Sequence, residues 1–300
     1  MRRPLSAAAA LLVLACGASA PAPSSAPSAE PVATVPLRQA SGQFHTLPVT
    51  VSGEQTTAIL DTGIGLALVS GALCARVGCE IDGEFVGQRM SGQEVRVPLT
   101  RLASLEVGGV VQRDVTAAVI EIEGFFPEPH IEAFVGLPFF RDQPFTIDGP
   151  GSALVLESEA SLAARAREGR SLPIRLHQQG PALDTFVRLS LGDGQASAEV
   201  LMDTGSRTLI LHPRYVELLG VDLEDARRRE GEDETGNPYE RAYVTLDGPV
   251  AFEGAPELRR TGAEVMFQEI IYDGLIGTAL LSEFAVTWDL GRERILVAER

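Results

Sequence analysis

Hydrophobic and polar residues alternate along much of this chain in short runs, as at 44–51, 96–105 and 186–191, with Gly-rich breaks between them. A period of two puts successive side chains on opposite faces of a pleated strand, so the runs predict half-buried β-strands. Helical spacing is confined to 70–77 in the first half, its counterpart 213–219 in the second, and an Ala-rich, charged stretch at 158–170 that reads as a connector. The expected architecture is mainly β and in two lobes. A length of 300 residues agrees, because single hydrophobic cores stop growing at about 250 to 300 residues.

The two halves carry the same signals in the same order. Ala58-Ile59-Leu60-Asp61-Thr62-Gly63 answers to Val200-Leu201-Met202-Asp203-Thr204-Gly205, an offset of 142 residues. Phe134-Val135-Gly136 answers to Leu275-Ile276-Gly277 at an offset of 141. Each half then closes alike, with Phe145-Thr146-Ile147-Asp148 against Val286-Thr287-Trp288-Asp289, a turn and an apolar strand. One Asp-Thr-Gly arises by chance in roughly one chain in twenty of this length, so the matched partners downstream carry the argument.

An Asp set directly after an apolar strand and before Thr-Gly sits on a tight turn, where Gly permits backbone geometry that a Cβ forbids. One such turn is an ordinary strand end. Two of them, brought together by lobes packed about a pseudo-twofold axis, would set two carboxylates within hydrogen-bonding distance, where they share one proton because both cannot readily ionise. The ionised member can then take a proton from a water between them while the protonated member donates to the carbonyl oxygen of a peptide bond. That chemistry needs no metal, cofactor or covalent nucleophile.

In both Asp-Thr-Gly motifs and both apolar-apolar-Gly motifs, the chain resembles the pepsin and retropepsin superfamily of aspartic peptidases, in its bacterial two-lobe retropepsin-like form, over 36–300. The resemblance implies a bilobed acid-protease fold, with two homologous β-barrel-like lobes related by pseudo-twofold symmetry. It implies an aspartic endopeptidase acting on a peptide or protein substrate, with Asp61 and Asp203 catalytic. Thr62 and Thr204 would cross-link the two loops through each other's backbone, Gly63 and Gly205 would let the loops approach, and Gly136 and Gly277 would lie on strands threading beside them. A flap hairpin would cover the cleft. Ser91 and Gly92 within 88–93, and Thr235 and Gly236 within 234–237, fall where it would be, and each segment reads equally as a surface hairpin. Ser206 matches the small hydroxyl residue that supports the carboxylate in this family, whereas Ile64 stands at the equivalent place after the first motif. Ile64 is expected to thin the hydrogen-bond shell of Asp61, either raising its proton affinity or marking a site tuned away from efficient catalysis.

The N-terminus changes the setting. Met1-Arg2-Arg3, the apolar run 7–15 and Ala18-Ser19-Ala20 make an export signal. Val13-Leu14-Ala15-Cys16-Gly17 resembles a bacterial lipobox, which would leave Cys16 lipidated as the first mature residue and tether the protein to a membrane; the alternative is cleavage after Ala20 with Cys16 discarded. The expected organisation is signal peptide 1–20 (to 15 if lipidated), Ala/Ser/Pro-rich linker 21–36, first lobe 37–157, connector 158–170 and second lobe 171–300. The protein would sit in the periplasm or at the outer membrane, or be secreted. In such an oxidising compartment Cys74 and Cys79 are candidates for a disulfide, or else two small buried hydrophobes.

A formal charge of −16 offers nucleic acid no basic patch. His45, His130, His177 and His212 are scattered without zinc-site spacing, and there is no Gly-x-Ser-x-Gly for serine chemistry. Two lobes in one chain complete the site without a partner, so a monomer is expected. The rival readings are a catalytically silent peptide-binding or scaffold module that retains the protease fold, and a processing peptidase that cuts one partner at one site.

Overall fold

The computed structural model describes residues 30–42, 44–122, 126, 130–232 and 238–299. Cys16, Thr235 and Gly236, named above as candidates for lipidation and for a flap, lie outside the described residues. Along Glu94–Val107 the exposed Glu94, Arg96 and Pro98 alternate with the more buried Val95, Val97 and Leu99, as a strand with one solvated face must. Strands of this kind form one sheet in each lobe. The eight-stranded sheet of the first lobe runs from Arg38–Ala40 at one edge to Ile81–Gln88 at the other; the ten-stranded sheet of the second runs from Arg227–Glu232 to Ala255–Arg260, with Arg175–Gln179 branching off Ala182–Leu191. At the heart of each is the same parallel pair, Glu54–Leu60 beside Ile131–Val135 and Ala196–Met202 beside Gly274–Ile276.

The closing strands of the two halves do not finish separate barrels. They meet in a third, six-stranded sheet, ordered Ala33–Pro36, Ala153–Leu156, Phe145–Asp148, Phe284–Asp289, Arg294–Glu299, Arg170–Pro173. Every residue of Phe145–Asp148 and Phe284–Asp289 is buried, and the two strands pair antiparallel with Thr146 opposite Thr287. Phe145 stacks on Trp288 with ring centroids 5.0 Å apart. Beside them the Thr146 hydroxyl donates to Glu157 Oε1 at 2.5 Å and lies 2.7 Å from the Thr287 hydroxyl, which must then be the donor of that pair; Arg165 Nε completes the chain at 3.0 Å from the same Glu157 oxygen. A buried carboxylate is tolerated there because it is paired and hydrogen-bonded.

The shared sheet also shortens the expected linker. Ala33–Pro36 is a strand paired with Ala153–Leu156, held by the inward Val35, with Leu37 buried directly after it. Pro36 is accommodated at the end of this edge strand.

Helix Gly71–Val77 begins where the Ser70 hydroxyl accepts from Leu73 N–H at 3.0 Å and ends at Gly78, whose φ of 68° reverses the chain. That reversal brings Cys79 back to Cys74, and the two form a disulfide. Helix Glu159–Glu168, capped by Ser158 and Ser161, links the lobes. Among the described residues no helix is long and apolar enough to cross a membrane.

Trp288 is the single tryptophan of the chain and lies fully buried in the shared sheet, so its fluorescence reports the joint between the lobes. Urea unfolding followed by Trp288 emission and by far-ultraviolet circular dichroism should give one coincident transition. Two separated transitions would mean that the lobes unfold independently of the sheet they share.

Candidate active site

Asp61 and Asp203 follow the ends of equivalent strands, and the neighbouring parallel strand fixes each one's backbone: Asp61 N–H donates to Val135 O at 3.0 Å and Asp203 N–H to Ile276 O at 3.0 Å. Thr62 and Thr204, each 1% exposed, tie the two loops together. Thr62 N–H donates to Thr204 Oγ1 and Thr204 N–H to Thr62 Oγ1, both at 3.1 Å. Each hydroxyl in turn donates across the interface, Thr62 to Met202 O at 2.8 Å and Thr204 to Leu60 O at 2.9 Å. The approach is so close that a Cβ on Gly63 would fall 2.7 Å from Asp203 Cβ, and one on Gly205 2.6 Å from Asp61 Cγ. Gly136 and Gly277 abut the same loops from behind, next to Leu66 O and Ser206 O.

The two carboxyls hydrogen-bond to each other. Gly63 N–H donates to Asp61 Oδ1 at 2.9 Å and Gly205 N–H to Asp203 Oδ1 at 2.8 Å. Asp61 also receives the N–H groups of Ile64 and Gly205, and Asp203 that of Ser206. Ile64 thus keeps a place in the shell through its backbone, whatever its side chain, and Ser206 supports Asp203 in the same way. Burial raises both carboxyls above their ordinary range; for Asp203 the charge of Asp61 and the hydrogen bond between them add to burial and lift it well above. The two carboxyls thus titrate as a pair that shares a proton, and burial together with the charge of Asp61 favours the protonated form of Asp203.

Residues 47–139, which include Asp61 and Gly136, match a family described as aspartyl protease. Basic 7S globulin from soybean, a crystal structure, is similar over 89% of this chain and 94% of its own, with a TM-score of 0.55 and 11% identity. The fold is the bilobed, pepsin-like one. At that identity the likeness to the globulin carries architecture alone. No curated protein sequence matches the chain.

In this pepsin-like fold the carboxyls lie on the floor of an interlobe cleft of about 1590 Å³. One wall is the hairpin of Ile81–Gln88 and Glu94–Val107, whose turn is closed by Arg89 N–H to Gln93 O at 2.9 Å and Gly92 N–H to Arg89 O at 2.8 Å. Its tip crosses to the other lobe: Ile271 N–H donates to Met90 O at 2.9 Å, and Met90 packs on a cluster that includes Phe186, Leu201, Ile270 and Leu275. Ser91 and Gly92 therefore belong to a hairpin that bridges the cleft. From the second lobe the strands Arg227–Glu232 and Pro238–Thr245 line it as well, with Arg227 over the Tyr243 ring and Arg241 over the Tyr239 ring. Sequence reading passes over Asp184 and Tyr272 and sets His177 among the scattered histidines, yet all three line the cleft, His177 from strand Arg175–Gln179. Asp184 leaves one faint signal, an acid within the mostly apolar run 182–191.

The raised proton affinity of Asp203 sets the sign of a pH effect. The folded protein keeps a proton that the unfolded chain releases above about pH 4, so stability is fully present below that point and is lost as pH rises through the folded value. Asp203→Asn removes this titration. The urea midpoint of the variant relative to wild type should climb as pH increases from about 4; a difference that stays flat would show that Asp203 is not held protonated.

Proposed function

We propose that the protein is an aspartic endopeptidase that hydrolyses peptide bonds with a water activated by Asp61 and Asp203. The observation that carries this reading is the pair of buried carboxyls, hydrogen-bonded to each other with unequal proton affinities, on the floor of a cleft between two lobes. Asp61, ionised, takes a proton from the water as its oxygen bonds to the carbonyl carbon, and Asp203 gives its proton to the carbonyl oxygen. Collapse of the tetrahedral intermediate breaks the C–N bond. The proton on Asp61 leaves with the amine, and the hydroxyl formed from the carbonyl returns a proton to Asp203, which restores the starting state. Proton sharing predicts a bell-shaped pH profile belonging to the pair.

The family match over the first lobe and the fold of the whole chain support the class of reaction. The export signal and the Cys74–Cys79 disulfide support a site outside the cytoplasm, tethered where Cys16 carries lipid. Metabolic labelling with a fatty acid should mark the wild type and not Cys16→Ser; labelling of neither would leave the exported protein untethered.

Incubating the protein with a diverse peptide pool from about pH 3 to 8, read by mass spectrometry, tests the chemistry. Asp61→Asn and Asp203→Asn should each lower cleavage by about 10²–10⁴-fold, the usual worth of a positioned acid or base. Cuts that survive in either variant, or folded wild type that cuts nothing at any pH, would refute the peptidase and leave a peptide-binding module.

A further inference from the structure

Beside the paired carboxyls, a third acidic side chain lies against the cleft close to Asp61. Asp184, on strand Ala182–Leu191, has a side chain only 17% exposed and stands across the ladder from His177, with Nδ1 to Oδ2 at 3.6 Å. Its carboxyl sits over the loop that follows the Asp61 turn: Oδ1 would be 3.4 Å from a Cβ on Gly65, and the adjacent Leu183 N–H donates to Gly65 O at 2.8 Å. Asp184 and Asp61 are near enough to feel each other's charge, and Tyr272, which lines the same cleft, feels both Asp184 and Asp203.

The ladder registers show that this acid breaks the internal symmetry. Thr46 pairs with Ile59 as Phe186 pairs with Leu201, so the place two residues upstream is Phe44 in the first lobe and Asp184 in the second. Their partners are Ala40 and His177. The first lobe spends these positions on an apolar contact, with Phe44 packed edge-on against Phe126. The second places a carboxyl and an imidazole there, against the cleft.

A pair at 3.6 Å is a loose contact, and an imidazole uses one lone-pair direction of a carboxylate that can accept several. His177 itself is half exposed, so it does not seal Asp184 from a ligand. A cation brought in by a ligand would offset both the burial of Asp184 and the neighbouring charge of Asp61. The Phe186 face is taken by the Arg175 guanidinium at 4.2 Å, itself paired with Glu199, which leaves Tyr272, edge-on to Phe186 at 5.3 Å, as the apolar wall for the stem of a long basic side chain.

We propose that Asp184 makes the cleft selective for a Lys or Arg side chain of the bound peptide beside the scissile bond, its stem along Tyr272 and its charged head on Asp184. The inference names the substrate class of the peptidase proposed above and rests on that reading.

The test uses matched peptides that carry Lys, Arg, Glu or uncharged norleucine at one position, presented to wild type, Asp184→Asn and the charge-reversed Asp184→Arg. Wild type should prefer Lys or Arg to norleucine in kcat/KM by at least about tenfold, as one charge-assisted hydrogen bond in a partly dry site allows. Asp184→Asn should abolish that ratio, and Asp184→Arg should invert it toward peptides with Glu in the same place. The same peptides, fluorescently labelled, are titrated against Asp203→Asn and the double variant Asp203→Asn/Asp184→Asn by anisotropy, which does not depend on turnover. Cleavage without a basic preference, or with one that Asp184→Asn leaves intact, overturns the inference and spares the peptidase. Absence of cleavage with tight binding of Lys peptides that the Asp184 substitution removes keeps the inference and refutes the peptidase; neither cleavage nor binding refutes both.

Discussion

Everything at the cleft floor depends on two threonine hydroxyls that each bond into the opposite lobe. Two carboxyls of like charge, buried side by side, repel whenever both ionise, and the proton they share does not by itself fix where their loops lie. Thr62 and Thr204 supply four hydrogen bonds across the pseudo-twofold axis. At about 0.5–1.5 kcal/mol each the bonds are modest, but removing one hydroxyl would leave a buried N–H and a buried C=O without partners, and that penalty is the larger one. The geometry of the dyad is therefore held by groups that do no chemistry. The shared sheet acts at a second point on the axis, where the Thr146 and Thr287 hydroxyls meet at 2.7 Å. With the lobes joined at both places, hinging between them would cost buried bonds at two sites at once.

A nearly symmetric backbone carries an asymmetric site. Both Asp residues receive the N–H two residues on, and both are raised by burial; Asp61 is also faced by the amides of Ile64 and Gly205, whereas Asp203 is raised in addition by the charge of Asp61. In the proposed peptidase, the division between acid and base would rest on such small differences in surroundings. The strand ladders differ likewise: Phe44 and Asp184 occupy equivalent positions, but Phe44 packs into an apolar cluster while Asp184 lines the cleft.

The parts legible in the sequence were those set by local rules. Period-two alternation marks the strands, helical spacing marks 70–77, and two Asp-Thr-Gly turns with paired glycines downstream locate both carboxylates. What was not legible depends on which strand lies beside which. Phe145–Asp148 and Phe284–Asp289 are buried on both faces, so their apolar runs say only that they are covered and not that they cover each other. Ala33–Pro36 looked like the end of a Pro-rich spacer because one inward Val35 is all that its pattern offers. Asp184 gains its meaning from the Gly65 loop and His177, contacts that only strand pairing creates.

The hairpin of Ile81–Gln88 and Glu94–Val107 adds a constraint, because its tip is tied across the cleft to the other lobe. Met90 O and Ile271 N–H bridge residues from different lobes, and Met90 lies on the apolar patch formed by Phe186, Leu201 and Leu275. Separating them costs a backbone hydrogen bond of about 0.5–1.5 kcal/mol, together with a share of the roughly 1.5–3 kcal/mol that burying a Met side chain is worth. A peptide that only lies in the groove does not recover this. One that sets an apolar stem where Met90 sits and a charge on Asp184 replaces the lost contacts with its own. If the protein binds peptides as proposed, this closure would raise the threshold for weak, nonspecific ones while leaving a matched one able to enter, and the hairpin would add to the selectivity assigned to Asp184.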